Sequence, residues 1–194
     1  MAAVGDKRIL NLDSIEEWDA YLAGDPDPDG VRLRLRKKNA AVPGFTYPEA
    51  LDVALCHGWI DGQAGRLDER YHLQVFTPRR ARSVWSQRNR DHIERLIADG
   101  RMRPAGMAEV ERAKADGRWD AAYRQKGAEV PPDFQAALDA VPDAAAFFAT
   151  LTGTTRWAFL FRLGNLKRAQ TRERRIREYV ELLSRGETLG QRPQ

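Results

Sequence analysis

Residues Tyr47 to Asn89 read YPEALDVALCHGWIDGQAGRLDERYHLQVFTPRRARSVWSQRN. Thr46-Tyr-Pro-Glu49 at the start is a capping box with a proline in the first turn, and Leu51, Ala54 and Leu55 carry a helical face on to Cys56 or His57. Trp59 to Gln63 and Tyr71 to Phe76 then read as strands joined through Gly65 to Arg70, with Tyr71, Leu73 and Val75 alternating. Arg79-Arg80 follows. Ser83 or Ser86 can cap the next helix, whose inward face would hold Trp85, Asn89, Ile93, Leu96 and Ile97. The apolar period moves from helical to alternating and back to helical, so this stretch predicts helices packed on a small sheet.

Upstream, Val31-Arg-Leu-Arg-Leu-Arg36 alternates apolar and basic residues and predicts a half-buried strand. Asp13-Ser-Ile-Glu16 reads as a capping box for a helix presenting Ile15, Trp18 and Leu22 and closed by Gly24. Asp25-Pro-Asp-Pro-Asp29-Gly30 matches the first half of a calcium loop, but Arg36 holds the position that needs a bidentate Glu, so a polar turn is expected. Downstream, Ala98-Asp-Gly100 and Ala115-Asp-Gly117 end two helices, the second opened by Pro104. Gly127 to Asp133 reads as a linker, and four helices follow near 133–140, 143–150, 155–165 and 171–185. The last should turn Ile176, Tyr179, Val180 and Leu183 inward. The predicted class is α+β: a small three-stranded antiparallel sheet with packed helices over 1–126, a linker at 127–133, and a helical region over 134–194.

Composition limits the function classes. A chain of 194 residues with 42% hydrophobic and 31% charged residues supports a packed core and a water-exposed surface. No apolar run approaches the roughly 20 residues needed to cross a bilayer, so no membrane insertion is expected. The N-terminus lacks a basic segment followed by an apolar one, and a single cysteine, Cys56, suits a reducing compartment; the cytoplasm is the expected location. The net charge of +4 is uneven: Arg79–Arg103 carries 8 Arg against 3 acids, and Arg156–Arg185 carries 9 basic residues against 3 Glu. Such segregation can steer anionic partners.

Several stretches are similar to the YdeI/OmpD-associated family, whose members are described as bacteriocin-protection proteins. They are Leu55-Cys-His-Gly-Trp-Ile-Asp-Gly-Gln63, Phe76-Thr-Pro-Arg-Arg80 with Ser83, Trp85, Ser86 and Asn89, Gly100-Arg-Met with Pro104-Ala-Gly106, Asp116-Gly-Arg-Trp119, and Thr171-Arg-Glu with Arg175-Ile176. The resemblance spans the whole chain, departing at Arg162-Leu-Gly-Asn-Leu-Lys167, where the family pattern leads one to expect a Trp-Ile-x-x-Ala-Lys segment. It implies a protective role linked to stress or the cell envelope, and it implies no reaction.

The candidate site residues are Trp59, Asp61, Arg79, Arg80, Trp85, Ser86 and Asn89. Guanidinium forks and hydroxyls at a helix start suit a phosphate or carboxylate. Asn89 shares a face with Ile93, so its amide must be satisfied inside the fold or aimed into a pocket. Asp61 could orient arginines around an anion if it shares a surface with Arg32, Arg34 and Arg36. Cys56 and His57 are sequence neighbours and cannot face each other on a helix, so they make no nucleophile–base pair. No metal site and no cofactor are expected, because the spacing of Cys56, His57, Asp61 and His72 fits no ligand pattern. The leading expectation is a binding protein for an anionic small molecule or a protein partner. The second is an enzyme acting on a phosphorylated or carboxylated substrate, with Asp61 or His57 as its base. The third is a nucleic-acid binder using the Arg-rich helices.

Overall fold

Strand β2 (Val31–Arg36) follows the alternation in its sequence: Val31, Leu33 and Leu35 are fully buried, and the three arginines between them lie on the other face. Its neighbour β4 (Tyr71–Pro78) runs antiparallel to it and forms a hairpin with β3 (Trp59–Arg66). The structure, a computed structural model, describes residues 6–124 and 127–189 and falls into two compact units, Met1–Tyr123 and Arg124–Gln194.

The expected three-stranded antiparallel sheet is corrected here. The sheet has four strands in the order β1-β2-β4-β3, and β1 (Ile9–Leu10) pairs in parallel with β2. Two residues are too few to show an alternating pattern, so this strand left no periodic trace in the sequence. A parallel neighbour needs a crossover of a dozen or more residues, and α1 (Ile15–Ala23) supplies it. Its capping box is displaced by one residue from the expected one. Ser14 Oγ accepts from the Glu17 amide at 3.2 Å, while the Asp13 carboxylate is drawn to Arg34 at 2.5 Å.

Helix α2 (Tyr47–Cys56) lies at the centre of the first unit, with Ala50, Leu51, Val53, Ala54, Leu55 and Cys56 all buried. Trp18 of α1 donates its indole N–H to the Ala50 carbonyl at 3.1 Å and meets Phe76 and Trp59 at ring distances of 5.5 and 6.2 Å. Helix α4 (Pro104–Ala115) approaches α2 at Gly106 so closely that a Cβ there would stand 2.2 Å from the Cys56 carbonyl oxygen. Helix α3 (Gln87–Ala98) starts at the Ser86 cap, which fixes its phase. Asn89, Ile93 and Leu96 point inward, whereas Ile97, expected inward, is 41% exposed because it lies about 100° further round.

The second unit holds α5 (Pro132–Asp139), α6 (Pro142–Thr150), α7 (Gly153–Gly164) and α8 (Ala169–Ser184), close to the four expected helices. Phe134, Phe148, Phe159 and Tyr179 meet edge to face at its centre, at ring distances from 5.1 to 6.4 Å. Ile176, Tyr179, Val180 and Leu183 of α8 are buried as their spacing predicts. No helix among the described residues is long and apolar enough to cross a membrane.

Candidate functional site

Register decides first which charges can meet. Asp61 pairs with Phe76, and Phe76 pairs with Val31, so Asp61 lies on the inner face of the sheet. Arg32 pairs with Val75 on the outer face, and Arg34 and Arg36 follow it there. The shared polar surface that would let Asp61 orient these arginines therefore does not form. They tie down local chain instead: Arg32 Nε donates to the Lys7 carbonyl at 3.1 Å, and Arg36 Nε to the Gly44 carbonyl at 3.1 Å. Beyond Asp61 the pairing is irregular as far as Ala64, and the buried Gln74 amide fills the gap by donating to the Gly62 carbonyl at 2.8 Å.

On the inner face the Tyr47 hydroxyl, from the first turn of α2, donates to Asp61 Oδ2 at 2.9 Å. Burial and the adjacent Asp61 charge raise the Tyr47 hydroxyl above the usual tyrosine range, so it stays a donor at all ordinary pH values. Arg88 caps the Tyr47 ring from 5.5 Å. Trp59, from the same strand, packs into the core against Trp18.

Arg79 follows directly on β4, where its backbone N–H donates to the Gly58 carbonyl at 3.0 Å. Its side chain is only 6% exposed and lies flat on the Trp85 ring, 3.5 Å from guanidinium carbon to ring centre. Nη1 makes one long bond of 3.4 Å to the Val84 carbonyl. Nε and Nη2 have no partner, and among the described residues no carboxylate comes within ion-pairing distance of Arg79. Burial pushes this guanidinium down from its ordinary range to about 10; Glu109 and Asp61 act against the shift and Arg118 adds to it. An uncompensated buried cation is costly, and a side chain able to reach water ordinarily avoids that position.

The unpartnered donors cluster. Among the described residues six buried side-chain nitrogens lack a hydrogen bond, and five belong to Arg79, Trp85, Arg90 and Arg118. Trp85, 2% exposed, leaves its indole N–H free and meets Trp119 edge to face at 4.9 Å. Arg90 lies 5.0 Å over the Trp119 ring and donates to the Trp119 carbonyl at 2.8 Å. Arg118 Nη2 stands 2.8 Å from Asp116 Oδ2 but off the donor direction, so it is paired in charge without being hydrogen-bonded. Among the described residues Arg79 is therefore the guanidinium of this cluster that lacks a carboxylate.

The remaining candidates join this region. Ser86 caps α3 by accepting from the Asn89 amide at 3.1 Å, and it forms an isolated parallel bridge with Tyr123. Burial and Asp61 raise the Tyr123 hydroxyl, and a hydrogen bond with Ser86 opposes them. Asn89 is 8% exposed, and no hydrogen bond to its side-chain amide is found among the described residues. Arg80 is exposed, and its backbone N–H is held by Ser83 Oγ at 3.0 Å. Sequence reasoning missed Tyr47, Glu109, Trp119 and Tyr123, whose approach depends on how helices dock; only Trp119 had a local signal, in Asp116-Gly-Arg-Trp119.

His57 points elsewhere. Its Nε2 meets Asp19 Oδ1 at 2.8 Å, and Arg103 takes the other carboxylate oxygen at 3.0 Å. The hydrogen bond from His57 is the main reason Asp19 is held below the usual carboxylate range. Asp19 and Arg103 help to line a separate open cleft of about 510 Å³ between α1 and the 100–103 segment. Cys56 is buried, and burial pushes its thiol up, away from a nucleophile's range. No group of three metal-binding side chains occurs among the described residues.

The geometry on β3, β4 and α3 falls within residues 10–109, which match the family described as "Domain of unknown function (DUF8412)" over more than half of the chain. The chain belongs to that family. Residues 127–186 match a second family, described as "Bacteriocin-protection, YdeI or OmpD-Associated". The whole-chain resemblance to that second family is thus corrected to its C-terminal part. Leu55–Gln63, Phe76–Asn89 and Gly100–Gly106, which suggested it, lie in the region matched by the first. No curated protein and no solved structure matches the chain.

Proposed function

We propose that this protein binds a small anionic molecule through the free edge of Arg79. One observation carries the reading: among the described residues Nε and Nη2 of a guanidinium that is 6% exposed have no partner, and no acid pairs with it. Those two nitrogens present parallel N–H groups, the side-on edge that grips a carboxylate or phosphate through two bonds. Trp85 fixes the plane of the fork from beneath, so little side-chain freedom remains to be lost on binding. The Trp85 indole N–H and the Asn89 amide supply further donors on the same elements.

Thermal melts of the parent and of Arg79→Met in sulfate, phosphate and acetate at constant ionic strength test the reading. The parent midpoint should climb with anion concentration more steeply than that of Arg79→Met, which keeps only the general stabilisation such salts give a folded protein. Equal responses would overturn it. The C-terminal match to a family described as bacteriocin-protection supports a protective setting for this binding; a single, buried cysteine fits action in the cytoplasm. Cells producing Arg79→Met should then lose protection against bacteriocin relative to cells producing the parent. Protection at the parent level would remove that role.

A further inference from the structure

We infer that the anion held at Arg79 carries a hydrogen-bond donor of its own, a hydroxyl or an ammonium, which Asp61 accepts. The inference rests on the binding role proposed above and narrows the ligand to hydroxy- or amino-substituted carboxylates and phosphates.

The backbone sets the two groups near each other. The Arg79 backbone bonds to Gly58, the residue just before β3, and Asp61 lies three residues further on, on the order of 10 Å at strand rise. A long guanidinium arm and a small bifunctional molecule span such a gap. Asp61 acts electrostatically on both Arg79 and Tyr123, and among the described residues it makes no ion pair with Arg79. Its Oδ2 takes the Tyr47 hydroxyl, and Oδ1 receives no donor among the described residues. The carboxylate is half-buried, and its one hydrogen-bond partner is a neutral hydroxyl.

Repulsion gives the second argument. A bare anion drawn to Arg79 would stand in the field of Asp61, in surroundings partly shielded from water. The other nearby acid, Glu109, is already neutralised by an ion pair with Arg112. Asp61 is the unneutralised acid of the site. A ligand that brings its own donor turns this repulsion into a hydrogen bond, so the same carboxylate that weakens the hold on simple anions favours substituted ones. Asn89, on the inward face of α3, can add a contact of either polarity to the same substituent.

Two matched ligand series separate the donor from the anion. Acetate, glycolate and glycine form the carboxylate series; methyl phosphate, 2-hydroxyethyl phosphate and 2-aminoethyl phosphate form the phosphoryl series. Calorimetric titration of the full chain should show one donor-bearing member binding about tenfold or more tighter than the unsubstituted member of its series. Which member gains the most distinguishes hydroxyl from ammonium. Asp61→Asn keeps the size of the side chain and a carbonyl for Tyr47, and it should shrink that gap below about threefold while leaving the unsubstituted anions bound at least as tightly. Asp61→Ser provides a second variant should the first lose its fold. A parent that does not discriminate, or a gap that survives both Asp61 variants, overturns the inference and leaves the anion site standing. If Arg79→Met binds every ligand as the parent does, the anion site itself falls.

Discussion

Arg79, buried on Trp85, and the arginines on and just after α8 are opposite in circumstance. On α8 each guanidinium has a carboxylate beside it: Arg172 with Asp133 at 2.6 Å, Arg175 with Glu178 at 2.7 Å, Arg177 with Glu173 at 2.7 Å, Arg185 with Glu181 at 2.9 Å and Arg174 with Glu178 at 3.7 Å. The pairs made within the helix itself are water-exposed and cost little to keep. Arg79 is buried against an aromatic ring with two donors unused. Density of basic charge therefore does not locate a site in this chain. What distinguishes one arginine from another is burial without a partner, a property that only the tertiary structure reveals.

The comparison breaks first, and with the largest effect, at Arg79. Because burial lowers its guanidinium to about 10, holding it charged at neutral pH costs up to about 3 kcal/mol. Arg79→Met keeps the apolar stem over Trp85 and removes that cost, so urea unfolding at pH 7 should show a gain of about 1–3 kcal/mol. The same substitution removes anion binding. A loss of stability above about 1 kcal/mol would mean that Arg79 is a structural residue.

The pH dependence has a definite sign. Above about pH 10 the folded chain releases the Arg79 proton while the unfolded chain still keeps it, so parent stability gains on Arg79→Met as pH rises from there. At the other end, Arg172 holds the Asp133 carboxyl below its usual range. That contribution is present at neutral pH and is lost as pH falls through the depressed value, below about 4. Half-exposure of Asp133 limits it to under about 1 kcal/mol. Unfolding of the parent and of Asp133→Asn at pH 7 and pH 3 checks it: the difference should shrink in acid, and a constant difference would contradict the pairing.

Much of this contrast was legible, and unevenly so. The α8 pairs follow from i,i+3 and i,i+4 spacing, so Glu173 with Arg177 and Glu181 with Arg185 can be read directly from the sequence. The Ser86 cap and the inward phase of Asn89 were equally local, and so was the β2 alternation. Strand β1 was not, because two residues carry no period and their pairing is parallel and non-local. Placing Asp61 opposite Arg32, Arg34 and Arg36 needed the β2-β4-β3 order, which strand patterns alone do not give. The Tyr47–Asp61 bond and the Trp85–Trp119 contact join residues whose meeting depends on helix docking.

Arg172 sharpens the comparison from the paired side. It is only 22% exposed, holds Asp133 through two nitrogens, and donates to the Leu163 carbonyl at 2.6 Å. Arg172→Met should therefore lose about 1 kcal/mol, opposite in sign to the same substitution at Arg79. Two changes of the same sign would show that partner and burial do not set the difference.

The smallest effect belongs to the outer arginines of α8. Arg174 and Arg177 are 63% and 69% exposed, and their pairs with Glu178 and Glu173 lie in open solvent. Replacing both by Ala should change stability by less than about 0.5 kcal/mol, since the helix propensity of Ala offsets the lost pairs. Binding of a double-stranded DNA probe at low salt should be equally unaffected, because each guanidinium is already balanced by a glutamate and has little counterion to release. A fall in DNA affinity of tenfold or more in this double variant would show that α8 does carry a nucleic-acid surface, and that pairing within a helix is a poor guide to which arginines are free to act.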